Sequence, residues 1–537
     1  MRALLITASL LALACGHEAP ASAPAAPEID RTPGERPAGT LVELSVDGGD
    51  EALTGIVSQL PAGPFRSAIP TRVSVLLDGL IELPGPIAEH VDGGSPIRLL
   101  MARIDGELRS AVAVRLDAPL DTHPGGGPRG TDGYGAHAAV DDRIAVVSDD
   151  ASLLEAAFPY LAYGALAEPS AQGVIVLRVP SSTIRTIVRT ALEHAVDERR
   201  AGALDSIRSA RAEQGRPPEL GDPEPIVTAL ADTALARIAY LPDLGDATVR
   251  LEPTSSGLAL TMEADVTGGS PLAAALAGHA SVAPTFIASM PTSSLLVLAT
   301  GTRADARATT ENDLVTTLAT VAAARMPESE RAGLEHVAEG VATIRGDEGA
   351  LALGVEDGAG AFVVTATRSA NELAIPAAWG RAFPWTTQLL GALFLCTPVA
   401  PGTTPEGATL CDEVALARRV ASGIRVDAIA HHAAAMIADL PGAIARDATA
   451  ASPDLARDLA ALPGSTFAAL VVRPLRMLPV MSLFGGPGVG LPRGDGAFVL
   501  ALAHESGRLT VALRASRAAM ADLDTLQRLF ANGSDSE

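Results

Sequence analysis

The sequence predicts an α+β protein: antiparallel sheets built from repeated strand–helix–hairpin units, with helices on one face. Three observations carry this reading. Short aliphatic runs follow Pro-containing turns, paired runs are joined by tight Gly-bearing connections, and longer stretches repeat apolar side chains at three- and four-residue spacing. The chain has 537 residues, and 48% hydrophobic content with only 19% charge excludes disorder over most of its length. At ~100–200 residues per domain it holds roughly three to five domains.

The first unit, 41–165, places Pro70 before a strand at Val73–Leu77, and Leu99–Ile104 turns at Asp105-Gly106 into Ala111–Leu116. Its end, Ile144–Ala157, reads as a strand, a Ser148-Asp149-Asp150 cap and a helix. The second unit, 166–290, runs from Pro169 and Val174–Val179 to a hairpin of Ala247–Leu251 and Leu258–Val266 around Ser255-Ser256-Gly257. The third, 291–385, has Pro291, Leu295–Leu298 and a hairpin of Leu351–Val355 and Phe362–Thr367 at Asp357-Gly358. The fourth, 463–537, repeats the design with Pro463, Phe467–Val472, and Phe498–Ala503 turning through Glu505-Ser506-Gly507 into Leu509–Leu513. In each turn Gly supplies the positive φ that a tight connection needs. Units three and four also share a signature after the last strand, Thr367-Arg368-Ser369 and Arg514-Ala515-Ser516, each followed by an Ala-rich helix.

The helices follow from the apolar spacing. After Ser181-Ser182, an N-cap signal, come Ile184, Ile187, Val188, Ala191, Leu192 and Ala195, with Arg185, Arg189, Glu193 and Asp197 opposite. Leu314, Val315, Leu318 and Val321 repeat the pattern in unit three, and Met520, Leu523, Leu526, Leu529 and Phe530 in the closing helix. The mixed charges on these faces favour packing on a sheet over contact with a membrane. A helical insertion, 386–462, separates units three and four.

The N-terminus carries an address. Met1-Arg2 precedes an apolar run, Ala3–Leu13, which is too short to span a bilayer and has the proportions of a secretory signal. Ala12-Leu13-Ala14-Cys15 resembles the lipobox of bacterial lipoproteins. That resemblance implies removal of residues 1–14 and acylation of Cys15, palmitate included, as the mature N-terminus. Gly16 rather than Asp follows the Cys, which by the same resemblance gives no signal for inner-membrane retention and points to the outer membrane. Residues 15–40 then form the lipidated Cys and a Pro/Ala-rich tether, extended at ~3.1 Å per residue. The units themselves, with segments such as Ile144–Ala157, are similar to bacterial surface and periplasmic repeat proteins of a domain-of-unknown-function type. This implies an extracytoplasmic, non-catalytic repeat architecture.

With Cys15 acylated, Cys396 and Cys411 remain as an even pair in an oxidising compartment, and they read as a disulfide across a Pro/Gly/Thr-rich loop. A bridge of this span contributes ~3 kcal/mol in the loop-entropy description. Both tryptophans fall in one window, where Trp379, Phe383 and Trp385 form a candidate interaction patch or else a hydrophobic plug.

Chemical motifs are sparse. All 40 basic residues are Arg, so no phosphate loop with its Lys is present, and a net charge of −23 argues against nucleic acid. Gly93-Gly94-Ser95-Pro96 and Gly268-Gly269-Ser270-Pro271 lack the last Gly of a serine-hydrolase elbow and read as caps or loops. His431-His432 are neighbours that diverge by ~100° on a helix, a poor metal pair. Asp141-Asp142 and Asp149-Asp150 read more simply as turn and cap residues than as a cation site. No cofactor and no metal are expected. The sequence therefore reads as a membrane-anchored, non-enzymatic envelope lipoprotein that presents a surface to a protein partner. The alternatives are a carrier of a lipid or other apolar ligand, and an envelope hydrolase with an unrecognised site.

Overall fold

The computed structural model describes residues 31–61, 66, 69–81, 83–120, 137–167, 174–214, 224–303, 347–356, 360–368, 403–404, 407–409, 414–430, 432–446, 451–478 and 494–534. Cys15, Trp379, Phe383, Trp385, Cys396 and Cys411 lie outside these residues, as does the unit-three helix around Leu314.

The chain enters at β1 (Thr40–Val46), and three helices, α1 (Gly49–Gln59), α2 (Val73–Asp78) and α3 (Gly85–Glu89), lead to the hairpin of β2 (Ile97–Ile104) and β3 (Glu107–Arg115). A second hairpin, β4 (His137–Asp141) and β5 (Ile144–Ser148), feeds α4 (Ala151–Pro159) and a π-helical turn at Tyr160–Ala165. After β6 (Ile175–Val179) come Ser181–Thr183, a π-helical turn at Ile184–Val188, α5 (Arg189–Gln214), α6 (Glu224–Ile238) and the hairpin of β7 (Leu244–Pro253) and β8 (Gly257–Val266). Two short helices, α7 (Pro271–Ala277) and α8 (Pro284–Ala288), precede β9 (Ser294–Gly301). Strands β10 (Glu348–Glu356), β11 (Gly360–Arg368), β12 (Thr403–Thr404), β13 (Gly407–Thr409), β14 (Ala415–Ala421) and β15 (Ile424–Ala430) follow. The last section holds α9 (Ala433–Met436), α10 (Leu440–Ala445), α11 (Pro453–Ala460), β16 (Thr466–Val472), β17 (Phe498–Glu505), β18 (Arg508–Ser516) and α12 (Arg517–Ser534).

The fold is α+β, and every strand pairing among the described residues is antiparallel. The ladder runs β4-β5-β3-β2-β1-β6-β7-β8. It continues as β18-β17-β16-β9-β10-β11-β15-β14-β13-β12. The two stretches meet where β8 pairs with β18, from Gly257 opposite Ser516 to Asp265 opposite Arg508. Among the described residues no helix is long and apolar enough to cross a membrane.

Helices are not confined to one face of this sheet. Leu99, Val112, Val114 and Val147 join Leu53 of α1, Val73 and Leu77 of α2 and Ile87 of α3 in one core. Their neighbours Leu100, Ala113 and Val146 join Leu153 and Ala157 of α4 and Leu161 of the π-helical turn in another. Successive strand residues point to opposite faces, so β2, β3 and β5 are covered on both sides, which is why they read as continuous apolar runs. The largest core collects Val297, Ala352, Phe362, Val364, Val426 and Val499 under Phe286 of α8, Ile444 of α10 and Leu459 of α11.

Three sequence expectations are corrected. Val73–Leu77 is the helix α2, whose first amide, that of Val73, donates to Asp50 Oδ1 at 2.6 Å. Val73 and Leu77, four apart, are its buried residues, a spacing that a short apolar run carries without declaring itself strand or helix. The first strand of unit one is instead β1. The insertion 386–462 is not wholly helical, since β14 and β15 form a hairpin turned at Ser422-Gly423, both with positive φ (54° and 73°). Finally, α5 packs along α6 instead of lying on the sheet. The expected hairpins at Asp105-Gly106, at Ser255–Gly257 and at Ser506-Gly507 are present, as is the cap of α4, where Asp150 accepts from the Leu153 amide at 2.9 Å.

Candidate functional site

The α5–α6 pair carries an exposed apolar seam. Its base is fixed by Asp246, whose Oδ1 accepts from the Ser181 amide at 2.9 Å. Arg200 pairs with Asp197 of its own helix at 3.4 Å and reaches across to Asp232 of α6 at 3.5 Å. Between them runs an open groove of about 450 Å³, lined by Leu192, Val196, Arg199 and Ala203 of α5 and Val227 and Leu230 of α6. Leu192 is 42% and Leu230 56% exposed. No acid lines the groove, and Arg199 makes no ion pair among the described residues. The groove therefore has an apolar floor with an arginine at its rim.

Two further clefts hold buried or half-buried titratable groups. In one, of about 400 Å³, the His279 ring stacks on Phe467 with centroids 4.3 Å apart and planes 18° from parallel. The His279 Nδ1 lies 3.3 Å from the Gly301 carbonyl, which can only accept, so Nδ1 carries the hydrogen. Burial holds this imidazole below the usual histidine range. His504, Glu505, Ser281 and Ser465 complete the lining.

The other, a notch of about 160 Å³, contains Asp458, which accepts from the Ser256 hydroxyl at 2.7 Å. Burial pushes the Asp458 carboxyl up. Asp454 and Asp495 sit at the mouth of this notch. Among the described residues no group of three or more His, Cys, Asp or Glu is placed to hold a metal ion.

Several other residues weighed from sequence have structural partners, and His431 lies outside the described residues. Ser270 caps α7, accepting from the Ala273 amide at 3.2 Å, and Ser95 donates to Asp92 at 2.6 Å. Asp142 is a turn residue with φ 55°, and Asp141 is engaged by Arg31 and Tyr163. His279 and Phe467 meet across 188 positions and leave no local trace in the sequence. The apolar stripe of the long helix was legible, but the face it presents to solvent was not. Comparison with family models, with curated proteins and with solved structures finds no match to this chain.

Proposed function

We propose that this protein is a lipid-anchored, non-enzymatic lipoprotein of the bacterial envelope, and that it docks a helix of a partner protein in the α5–α6 groove. The observation that carries the docking reading is the exposure of Leu192 and Leu230 on a helical pair packed on itself. Two antiparallel helices with an open apolar seam are two-thirds of a three-helix bundle, and a third amphipathic helix completes it. Arg199 at the rim favours an acidic flank on that helix. The anchor rests on the lipobox resemblance at Cys15, which two or three acyl chains would make essentially permanent. The same reading gives the outer membrane as its location, Cys396–Cys411 as a disulfide, and Trp379, Phe383 and Trp385 as a second patch for partner contact.

The repeated design belongs to this proposal as two copies instead of four units. The order β5-β3-β2-β1-β6-β7-β8 recurs as β15-β11-β10-β9-β16-β17-β18. One cross-strand row, Val147–Val112–Leu99–Leu44–Leu177–Val249–Met262, has a counterpart in Asp427–Thr365–Leu351–Leu298–Leu470–Leu500–Leu513. Each row lies at a matching distance from its hairpin turns. The carrier reading ranks second, because helices fill the aliphatic strand faces that motivate it in β2, β3 and β5.

The test is site-specific photo-crosslinking at Leu192 in intact cells, with Leu230→Glu as the control. A single cross-linked partner that disappears with Leu230→Glu, at unchanged melting temperature, supports the groove. A crosslink pattern indifferent to Leu230→Glu sinks it. Loss of palmitate labelling in Cys15→Ser tests the anchor separately.

A further inference from the structure

Residues 31–37, expected as free tether, lie across the body and set two partly exposed arginines, Arg31 (64% exposed) and Arg36 (36%), on two buried acids, each in a shallow pocket with a tyrosine. In the first, the Arg31 guanidinium grips Asp141 with both carboxylate oxygens, Nε to Oδ2 at 3.0 Å and Nη2 to Oδ1 at 3.1 Å. Tyr163 donates to the same Oδ2 at 2.8 Å, and the Asp141 side chain is only 7% exposed. The Arg31 fork holds this carboxyl below the usual carboxylate range, and burial together with Asp141 pushes the Tyr163 phenol up to about 12.

In the second pocket Arg36 Nε lies 2.5 Å from Glu43 Oε1, and Tyr160 donates to Oε2 at 2.9 Å. Arg36 Nη1 donates to Asp246 Oδ2 at 3.3 Å, the same carboxylate that holds the Ser181 amide. Between the pockets the backbone comes close to the π-helical turn. A Cβ on Gly34 would stand 2.9 Å from Pro159 Cγ and 3.2 Å from the Tyr160 nitrogen, so only glycine fits without a shift.

We infer that these paired acid–tyrosine pockets are a recognition site for an extended peptide of the pattern Arg-x-x-Gly-x-Arg, occupied in this chain by its own residues 31–36. Glu43 and Asp141 are carboxylates withdrawn from water, and such groups require a cationic partner. The planar fork of Arg matches Asp141 with two parallel bonds, which Lys cannot reproduce. The spacing between the two acids is set by strands, since Glu43 lies on β1 and Asp141 on β4. Because the segment continues directly into β1, it competes at high effective concentration against any copy of the pattern in trans. The inference stands on these residues alone and does not depend on the α5–α6 groove.

The experiment uses the full-length protein and a fluorescein-labelled peptide copying residues 29–38, read by anisotropy. The Arg31→Ala/Arg36→Ala protein binds this peptide at least tenfold more tightly than the wild type, whose site is filled. Adding Asp141→Asn, or replacing both peptide arginines by lysine, lowers that affinity at least tenfold. Binding no better than that of an arginine-free peptide, or binding indifferent to Asp141→Asn, overturns the inference. Trypsin provides a reading that needs no substitution in the strap. The Arg31–Thr32 bond is cut at least tenfold more slowly in the wild type than in Asp141→Asn, and equal rates overturn the inference as well.

Discussion

Two single residues, the buried Asp458 and the half-buried His279, carry charge costs of opposite sign. Burial raises the Asp458 carboxyl above its unfolded value, so the folded state binds this proton more readily than the unfolded chain. The group therefore favours folding below an unfolded pKa of ~3.9, and that contribution is lost as pH rises through the folded value. At neutral pH Asp458 is a liability. Asp458→Asn keeps an acceptor for Ser256 and is expected to raise the melting temperature at pH 7 by ~2–4 °C if about 1 kcal/mol is recovered, with the gain vanishing at pH 3. His279 behaves in the reverse sense. Burial lowers its pKa, so stability is present above an unfolded value of ~6.5 and declines as pH falls through the folded one. Thermal melts between pH 7.5 and 5 should show this decline in the wild type and a shallower one in His279→Asn. A third residue, Arg98, makes a buried pair with Asp47 at 2.5 Å and donates to the Ala165 carbonyl at 3.0 Å. Arg98→Met strands Asp47 and is expected to cost ~3–5 kcal/mol in denaturant titration.

At the scale of elements, hairpins were the most legible feature and strand-or-helix identity in short runs the least. Asp105-Gly106 and Ser506-Gly507 declare themselves because positive φ restricts which residues serve, and all four residues have it. Val73–Leu77 carried no such mark: four apolar residues around Ser74 suit a buried strand or one side of a short helix, and Asp50 settled it from a distance. Which helix covers which face of a strand was equally hidden. Leu99 and Leu100 are adjacent on β2, yet one lies in the core beneath α1–α3 and the other in the core beneath α4. Leu99→Ala and Leu100→Ala are each expected to cost ~2–5 kcal/mol by chemical denaturation. If only one of them destabilises, the second layer of helices is wrong. The α5 stripe shows the limit from the other side, because amphipathicity marks a face to be covered without saying by what.

For the molecule as a whole, the decisive feature is the pairing of β8 with β18. It turns two stretches of sheet into one ladder, and Ala512 sits inside it with Ala501 on one side and Thr261 on the other. A proline there removes a ladder hydrogen bond from an interior strand, so Ala512→Pro should lower the melting temperature sharply or split unfolding into two transitions. Retention of a single unperturbed transition would argue that the joint contributes little.

Local sequence was enough for the α+β class, the hairpins and their turns, the capping of α4, and the pattern of signal, Cys15 and tether on which the proposed address rests. These are local matters: φ preferences, caps and apolar spacing act over a few residues. Only the tertiary structure decided that one ladder joins β8 to β18, that helices cover β2, β3 and β5 on both faces, and that α5 leaves its stripe open. It also decided that Arg31 and Arg36 lie in acid–tyrosine pockets. Asp141 stands 110 positions from Arg31, and Asp246 stands 210 from Arg36. Such pairings follow from chain topology and burial, and no local spacing encodes them.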